Sequence, residues 1–233
     1  MSQKPDLIKR NSFAYLMQIV VIIFSITASF ALRSWNEQRK KSNLEMDMLE
    51  GILTDVSSNI GSLKEIISID SSIYVNNKQL ISIIKDANSK YNDSLQQYIG
   101  RSNRYFLFYP KRNAYETLKS EGIDIIKNDS LLSEIIKLHD QTYTISHHLM
   151  EIKKELYVSS IPIFLNRFET GATGLDKIPN DFEKLKSDAE FMNWLTHVTA
   201  EQFNHNEYQR FFIDEMEILE NILIEEINKL QKI

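Results

Sequence analysis

The sequence predicts an all-α fold, in which an N-terminal transmembrane helix continues into a membrane-anchored helical bundle with long antiparallel helices. Residues 13–32 contain no charged side chain. Apolar residues then recur at three- and four-residue steps over most of the chain, as on the buried face of a helix. Six glycines and four prolines among 233 residues are too few for the many turns of a β-sandwich.

The apolar run over residues 13–32 has the length of a membrane span. At the rise of an α-helix it reaches about 30 Å, the thickness of the hydrocarbon core of a bilayer. It contains no ionisable group, which argues against a proton or ion pathway. We therefore predict a short tail over residues 1–12, a span over 13–32, a basic collar over 33–43 and an acidic helical domain over 44–233.

Residues that favour the membrane interface flank this span, and the lipid bilayer is the first predicted partner. They are Tyr15, Arg33, Trp35, Arg39, Lys40 and Lys41. A cleaved signal peptide is the alternative interpretation, although its apolar region normally has only about 7–15 residues. Ser25 and Ser29 have the small-xxx-small spacing that lets two spans approach closely, so a homo-oligomer is one predicted assembly.

The two flanks of the span carry nearly equal numbers of Lys and Arg, so its orientation is inferred from the short tail. The preceding tail carries Lys4, Lys9 and Arg10, and a short basic tail usually stays in the cytoplasm. We expect a single-pass protein of the bacterial inner (cytoplasmic) membrane, with its C-terminal domain in the periplasm. The acidic composition of that domain argues against nucleic acid as a partner. The absence of cysteine excludes disulfides, thiolate metal sites and a cysteine nucleophile.

Within the domain, we predict one long helix or two in series over residues 44–87. Asp70 falls near its apolar seam, and we interpret this as a bent or frayed turn over residues 68–72. Loops are predicted over 88–93 and 170–180, and a core-filling aromatic segment over 101–112. A helix is expected over 111–122, and a second begins at an Asn128 cap and stops or kinks at Pro162. A third helix is expected to begin at an Asp181 cap, and a last one contains Phe203 and the residues after it.

The strongest candidate for chemistry is a line of three side chains. His197, Glu201 and His205 lie at i, i+4 and i+8, and imidazole and carboxylate are ligands for zinc or iron. On one helix these three side chains span about 12 Å of rise, which is too far apart for a single ion. No phosphate-binding loop, nucleophile elbow or His-Glu-x-x-His motif occurs. We therefore expect no cofactor, no catalytic residue and no enzyme.

Two stretches of the sequence match a known pattern. The span is followed by Trp35, Asn36 and Glu37, and residues 114–122 read Ala-Tyr-Glu-Thr-Leu-Lys-Ser-Glu-Gly. Together they resemble a domain-of-unknown-function family of single-span membrane proteins from the Bacteroidota. The matching positions of the second motif include Tyr115, Leu118 and Gly122. The resemblance implies an architecture and a membrane location, but no reaction.

The sequence thus favours a membrane-tethered helical module that interacts with a protein partner or senses a ligand. This expectation rests on the predicted helix from span to domain and on the absence of catalytic motifs. One alternative is a helical hydrolase or metal-dependent enzyme with a site near His197 and Glu201. A structural spacer of the cell envelope is the other.

Overall fold

The computed structural model describes the backbone of residues 6–232 and the side chains of residues 15–232. The described chain is mostly helical, with one short hairpin, which confirms the all-α prediction. Its main elements are α1 (Asp6–Lys85), α2 (Ser94–Ser102), α3 (Asn113–Glu121), α4 (Asp129–Ile136), a π-helical segment (Lys137–Thr142), α5 (Tyr143–Ser159), α6 (Ile161–Arg167), β1 (Phe168–Thr170), β2 (Lys177–Pro179), α7 (Phe182–Lys186) and α8 (Ala189–Leu230).

Helix α1 is uninterrupted over 80 residues. The predicted bend at residues 68–72 is wrong, because the helix continues through Asp70, which is buried in a side-chain pair described below. Part of the predicted tail is also helical, since α1 begins at Asp6, whereas residues 1–5 lie outside the described part. The chain divides into two units, Met1–Met48 and Leu49–Ile233.

The first unit contains an apolar stretch of α1 long enough to cross a membrane, and none of that stretch is buried inside protein. Its hydroxyl groups are satisfied within the helix. Ser25, Thr27 and Ser29 each donate to the carbonyl oxygen four residues earlier, at 2.7–2.8 Å. These three hydroxyl groups are therefore paired within the helix, as a lipid environment requires.

In the second unit, three long segments form the bundle frame. Helix α8 runs antiparallel to α1, because Lys64 pairs with Glu217 at 2.7 Å while Asn206, earlier in α8, donates to Ser71, later in α1, at 3.3 Å. Helix α5 runs parallel to α1. Asn59 donates to the Tyr143 hydroxyl at 2.9 Å, and the next cross-link between the two helices lies further along both of them.

Apolar side chains from these three helices and from α2, α3 and α4 fill the core, together with an aromatic cluster near the hairpin. In that cluster the ring of Phe164 lies 4.9 Å from Trp194 and 5.1 Å from Phe168, measured between centroids. Aromatic pairs at such distances and tilts contribute beyond their buried area. The fully buried aliphatic residues of the core include Leu49, Ile52, Leu63, Leu80, Ile84, Leu95, Ile99 and Leu118.

Local signals placed several helix ends correctly. Asn128 caps α4 by accepting from the Leu131 N–H at 3.2 Å, and Asp181 caps α7 in the same way. Gly122 ends α3 with φ of +119°, a conformation that favours glycine. Helix α5 ends at Ser159, before Pro162, which lies in the first turn of α6.

Other predicted elements differ from the structure. The expected loop at 170–180 is partly a hairpin, in which Phe168 pairs with Pro179 and Thr170 with Lys177. The helix beginning after Asp181 stops at Lys186, and a second cap, Asp188, starts α8. That last helix therefore begins well before Phe203, whose side chain is exposed rather than on the buried face.

The two glycines Gly122 and Gly61 give opposite predictions for the same substitution. Gly122→Ala should lower the free energy of unfolding by about 1–3 kcal/mol, because alanine is strained at positive φ. Gly61→Ala should raise it by about 0.5–1 kcal/mol, because Gly61 lies inside α1 with open space around its Cα. Chemical denaturation followed by helical circular dichroism measures both values, and equal shifts in the two variants would contradict the assignment of the helix end at Gly122.

Candidate functional site

A groove of about 530 Å³ opens between α5 and α8 in the second unit. This is within the range of small-molecule pockets. One wall comes from α5 and the other from α8. The lining residues are Leu149, Ile152, Lys153, Glu155, Leu156, Tyr157, Ser159, His197, Val198, Glu201, Gln202, Asn204, His205 and Tyr208.

Three buried polar groups of this groove lack a hydrogen-bond partner within the described part of the chain. They are the hydroxyl of Tyr157, Nε2 of Gln202 and Nε2 of His205. These residues are only 3%, 2% and 8% exposed, respectively. A buried polar atom without a partner costs about 1–3 kcal/mol, so three of them along one groove require an explanation. A bound molecule that makes the missing hydrogen bonds provides one.

A buried ion pair lies beside these groups. Lys153 Nζ donates to Asp70 Oδ2 at 2.6 Å and to the carbonyl oxygen of Phe106 at 3.2 Å. The side chain of Asp70 is fully buried, and that of Lys153 is 6% exposed. Asp70 belongs to α1 and Lys153 to α5, so the pair connects α1 to one wall of the groove. Two hydrogen bonds leave the third N–H of the ammonium group available.

Burial and charge act in opposite directions on this pair. Burial raises the pKa of Asp70, and the positive charge of Lys153 opposes that rise. Burial likewise lowers the pKa of Lys153, against the effect of Asp70. The amides of Gln202 and Gln209 lie near enough to lower the pKa of Asp70, although neither amide nitrogen completes a hydrogen bond. The two charges therefore depend on each other to remain ionised inside the protein.

A chain of side-chain amides orients Gln202. Asn76 Nδ2 donates to the backbone oxygen of Tyr98 at 2.9 Å and to Asn77 Oδ1 at 3.3 Å. Asn77 Nδ2 then donates to Gln202 Oε1 at 3.4 Å. Because a backbone oxygen can only accept, this chain fixes the direction of every amide along it. Gln202 is thereby held with its NH₂ group as the free end.

His197, Glu201 and His205, the candidate side chains at four-residue spacing, all line this groove. His197 and Glu201 are exposed, whereas His205 is buried. Burial, reinforced by the nearby charge of Lys153, lowers the pKa of His205 to about 3, so the imidazole is neutral at pH 7. Among the described residues, no group of three or more His, Cys, Asp or Glu side chains could hold a metal ion.

The residues assigned to the membrane interface all lie on the part of α1 in the first unit. Tyr15, Arg33, Trp35 and Lys40 are exposed there, as are Lys41 and the collar residues Asn36 and Glu37. The guanidinium of Arg39 lies 5.8 Å from the centroid of the Trp35 ring, and Arg33 pairs with Glu37 at 2.9 Å. Exposed pairs of this kind contribute little stability.

The other motif residues have a packing role. Tyr115 and Leu118 are buried, and the Tyr115 ring stacks on His139 with centroids 4.3 Å apart. The Tyr115 hydroxyl donates to Asp140 at 2.7 Å, and Gly122 ends the helix. These contacts hold α3 against the π-helical segment, away from the residues that line the groove.

No family model, curated protein or solved structure matches the chain. The groove therefore has to be interpreted from its own residues.

Sequence reasoning missed Lys153, Tyr157 and Gln202, which line this groove, and Asp70, which pairs with Lys153 beside it. A usable signal exists for Asp70, because it occupies an apolar position of α1. Gln202 gave a similar signal, because it follows Val198 at the four-residue step of the buried face of α8. A polar residue in such a position indicates either a buried partner or a ligand.

The ion pair predicts a pH-dependent loss of stability. Lys153→Met should cost about 3–5 kcal/mol at pH 8, because it leaves Asp70 buried without a counterion. The pKa of Asp70 in the folded state is raised by burial, so its protonated form favours folding. The loss should therefore be small below the unfolded-state pKa of about 3.9 and should grow as the pH rises through the folded-state value.

Urea denaturation at several pH values measures this loss. The matched control is Lys154→Met, since Lys154 is the exposed neighbour and should change stability by less than about 0.5 kcal/mol. The double variant Asp70→Leu with Lys153→Met should regain most of the lost stability, because it removes both charges. A loss in Lys153→Met that is independent of pH would show that the missing counterion is not its cause.

Proposed function

We propose that this protein is a membrane-tethered sensor module whose α5–α8 groove binds a small molecule. The observation that carries this proposal is the set of three unpartnered polar groups along the groove, from Tyr157, Gln202 and His205. Apolar side chains surround them, and this combination of an apolar cavity with a few convergent polar groups is typical of ligand sites.

The ion pair gives the module a way to respond to its ligand. Lys153 lines the groove and is held by Asp70, which belongs to α1. A ligand that engages Lys153 or Gln202 changes the surroundings of the Asp70 carboxylate. Helix α1 also contains the apolar stretch, so we propose that the occupancy of the groove is transmitted through α1 to a protein partner or to a second copy of this chain.

The cellular location is part of the proposal. We place the protein in the inner membrane of a bacterium as a single-pass protein, with residues 44–233 in the periplasm and no nucleic acid as a partner. The short basic tail supports this orientation, because such tails usually stay in the cytoplasm and a long following domain can be translocated whatever its charge. The resemblance of residues 35–37 and 114–122 to a Bacteroidota family of single-span membrane proteins supports the same location.

The proposed orientation predicts the labelling of single cysteines, since the chain has none of its own. Ala172→Cys lies in the exposed loop between β1 and β2, and a membrane-impermeant maleimide should label it in intact spheroplasts. Ser2→Cys, in the tail, should react only after lysis. The labelled protein must be full-length and membrane-bound in both variants, which excludes cleavage of the apolar stretch. The reverse labelling pattern would place the domain in the cytoplasm.

Ligand binding in the groove is tested with a cysteine at its edge. Ser159→Cys lines the groove, whereas the exposed Ser130→Cys in α4 does not. We expect members of a library of small soluble compounds to slow the maleimide reaction of Ser159→Cys several-fold without slowing that of Ser130→Cys.

A substitution that fills the groove provides the control. Ile152→Trp, introduced at a partly exposed lining position, should abolish this protection. Ile145→Trp lies on the same helix outside the groove and should retain it. If no compound protects Ser159→Cys selectively, or if protection persists in Ile152→Trp, the groove is not the ligand site.

A further inference from the structure

We infer that the ligand of the α5–α8 groove is a neutral molecule with an apolar body and a hydrogen-bond-accepting oxygen. This inference rests on the proposed function and specifies the chemistry of the same site. It follows from the direction of the free hydrogen bonds, from the balance of charge and from the nature of the walls.

The first step concerns hydrogen-bond direction. The carbonyl of Tyr98 fixes the amide chain from Asn76 through Asn77, so the free group of Gln202 is its NH₂, which can only donate. If Gln202 were turned over, its nitrogen would face the nitrogen of Asn77, and two donors would meet. The NH₂ group has two N–H bonds. The nearby Asp70 carboxylate, whose Oδ1 has no partner among the described residues, can accept from one of them, and the other requires an acceptor on the ligand.

The second step adds two further donors. Tyr157 keeps its proton, because burial and the charge of Asp70 raise its pKa, and its hydroxyl has no acceptor within the described chain. Lys153 donates two of its three N–H groups to Asp70 and to the carbonyl oxygen of Phe106, which leaves the third N–H as a donor. An oxygen atom with two lone pairs satisfies donors of this kind, whereas an ammonium or amidinium group does not.

The third step concerns charge. The single buried cation that lines the groove, Lys153, is already neutralised by Asp70 at 2.6 Å. A carboxylate or phosphate ligand would bring a second negative charge toward Asp70 with no further buried cation to offset it, and burying an uncompensated charge is costly. The two carboxylates that line the groove, Glu155 and Glu201, add to this repulsion. A neutral oxygen acceptor avoids the penalty.

The walls define the remainder of the ligand. Leu149, Ile152, Leu156 and Val198 present aliphatic surface, and the groove has room for a small organic molecule. The body of the ligand is thus apolar, and its acceptor is the neutral oxygen of an amide, ester, ketone or ether.

Three probes that share a cyclohexyl ring with one attached carbon test the inference on the full-length protein in nanodiscs. They are N,N-dimethylcyclohexanecarboxamide, cyclohexanecarboxylate and cyclohexylmethylammonium, which carry a neutral acceptor, an anion and a cation, respectively. Protection of Ser159→Cys from maleimide measures binding. We expect the carboxamide to bind with a Kd at least about tenfold lower than that of either ion.

Two glutamines of α8 provide matched variants. Gln202→Leu should weaken carboxamide binding about tenfold, because it removes the oriented donor. Gln209→Leu should leave binding unchanged, since Gln209 is also buried with an unpartnered amide but does not line the groove. Thermal unfolding of both variants verifies that each retains its fold.

The outcomes separate this inference from the proposed function. Preferential protection by the carboxylate or the ammonium probe overturns the inference and leaves the groove as a ligand site. Equal loss of carboxamide binding in Gln202→Leu and Gln209→Leu also overturns it, because the oriented donor would then have no special role. If neither these probes nor any library compound protects Ser159→Cys, both the inference and the proposed function are wrong.

Discussion

The ion pair between Asp70 and Lys153 is the constraint on which the second unit depends. A buried ion pair contributes little net stability compared with apolar residues of the same volume, but each charge becomes very unfavourable without the other. Any sliding of α5 along α1 would leave both charges unpaired inside the protein. The pair therefore fixes one register between two parallel helices, and apolar packing alone would discriminate less strongly between neighbouring registers.

Fixing this register also determines what the groove can offer a ligand. Lys153 and Tyr157 lie one helical turn apart on α5, so their position relative to Gln202 on α8 depends on where α5 is held. The amide chain from Tyr98 determines which end of the Gln202 amide is the donor, and that amide lies near Asp70. Two hydrogen-bonding systems thus meet at the same cavity from α5 and α8, and polar groups of both are left without partners.

Features set by nearby residues could be predicted from the sequence. The apolar stretch, the long α1, the caps at Asn128 and Asp181 and the positive φ of Gly122 each depend on a few neighbouring side chains. Asp70 was misinterpreted because its partner is 83 residues away, and no local pattern shows that separation. The spacing of His197, Glu201 and His205 pointed to residues that do line one groove, but it could not show that only His205 is buried, since that depends on the helices packed against α8.

The antiparallel pairing of α1 with α8 has a consequence for the synthesis of the protein. Ser71 and Asn206, which join the two helices, are separated by 135 residues. At about 5–20 residues per second, the ribosome needs roughly 7–27 seconds to produce that stretch. During this interval the apolar face of α1 that α8 will cover has no α8 to pack against. Exposed apolar surface of this kind promotes aggregation, so the nascent domain is expected to need a chaperone for longer than a bundle built from successive helical hairpins.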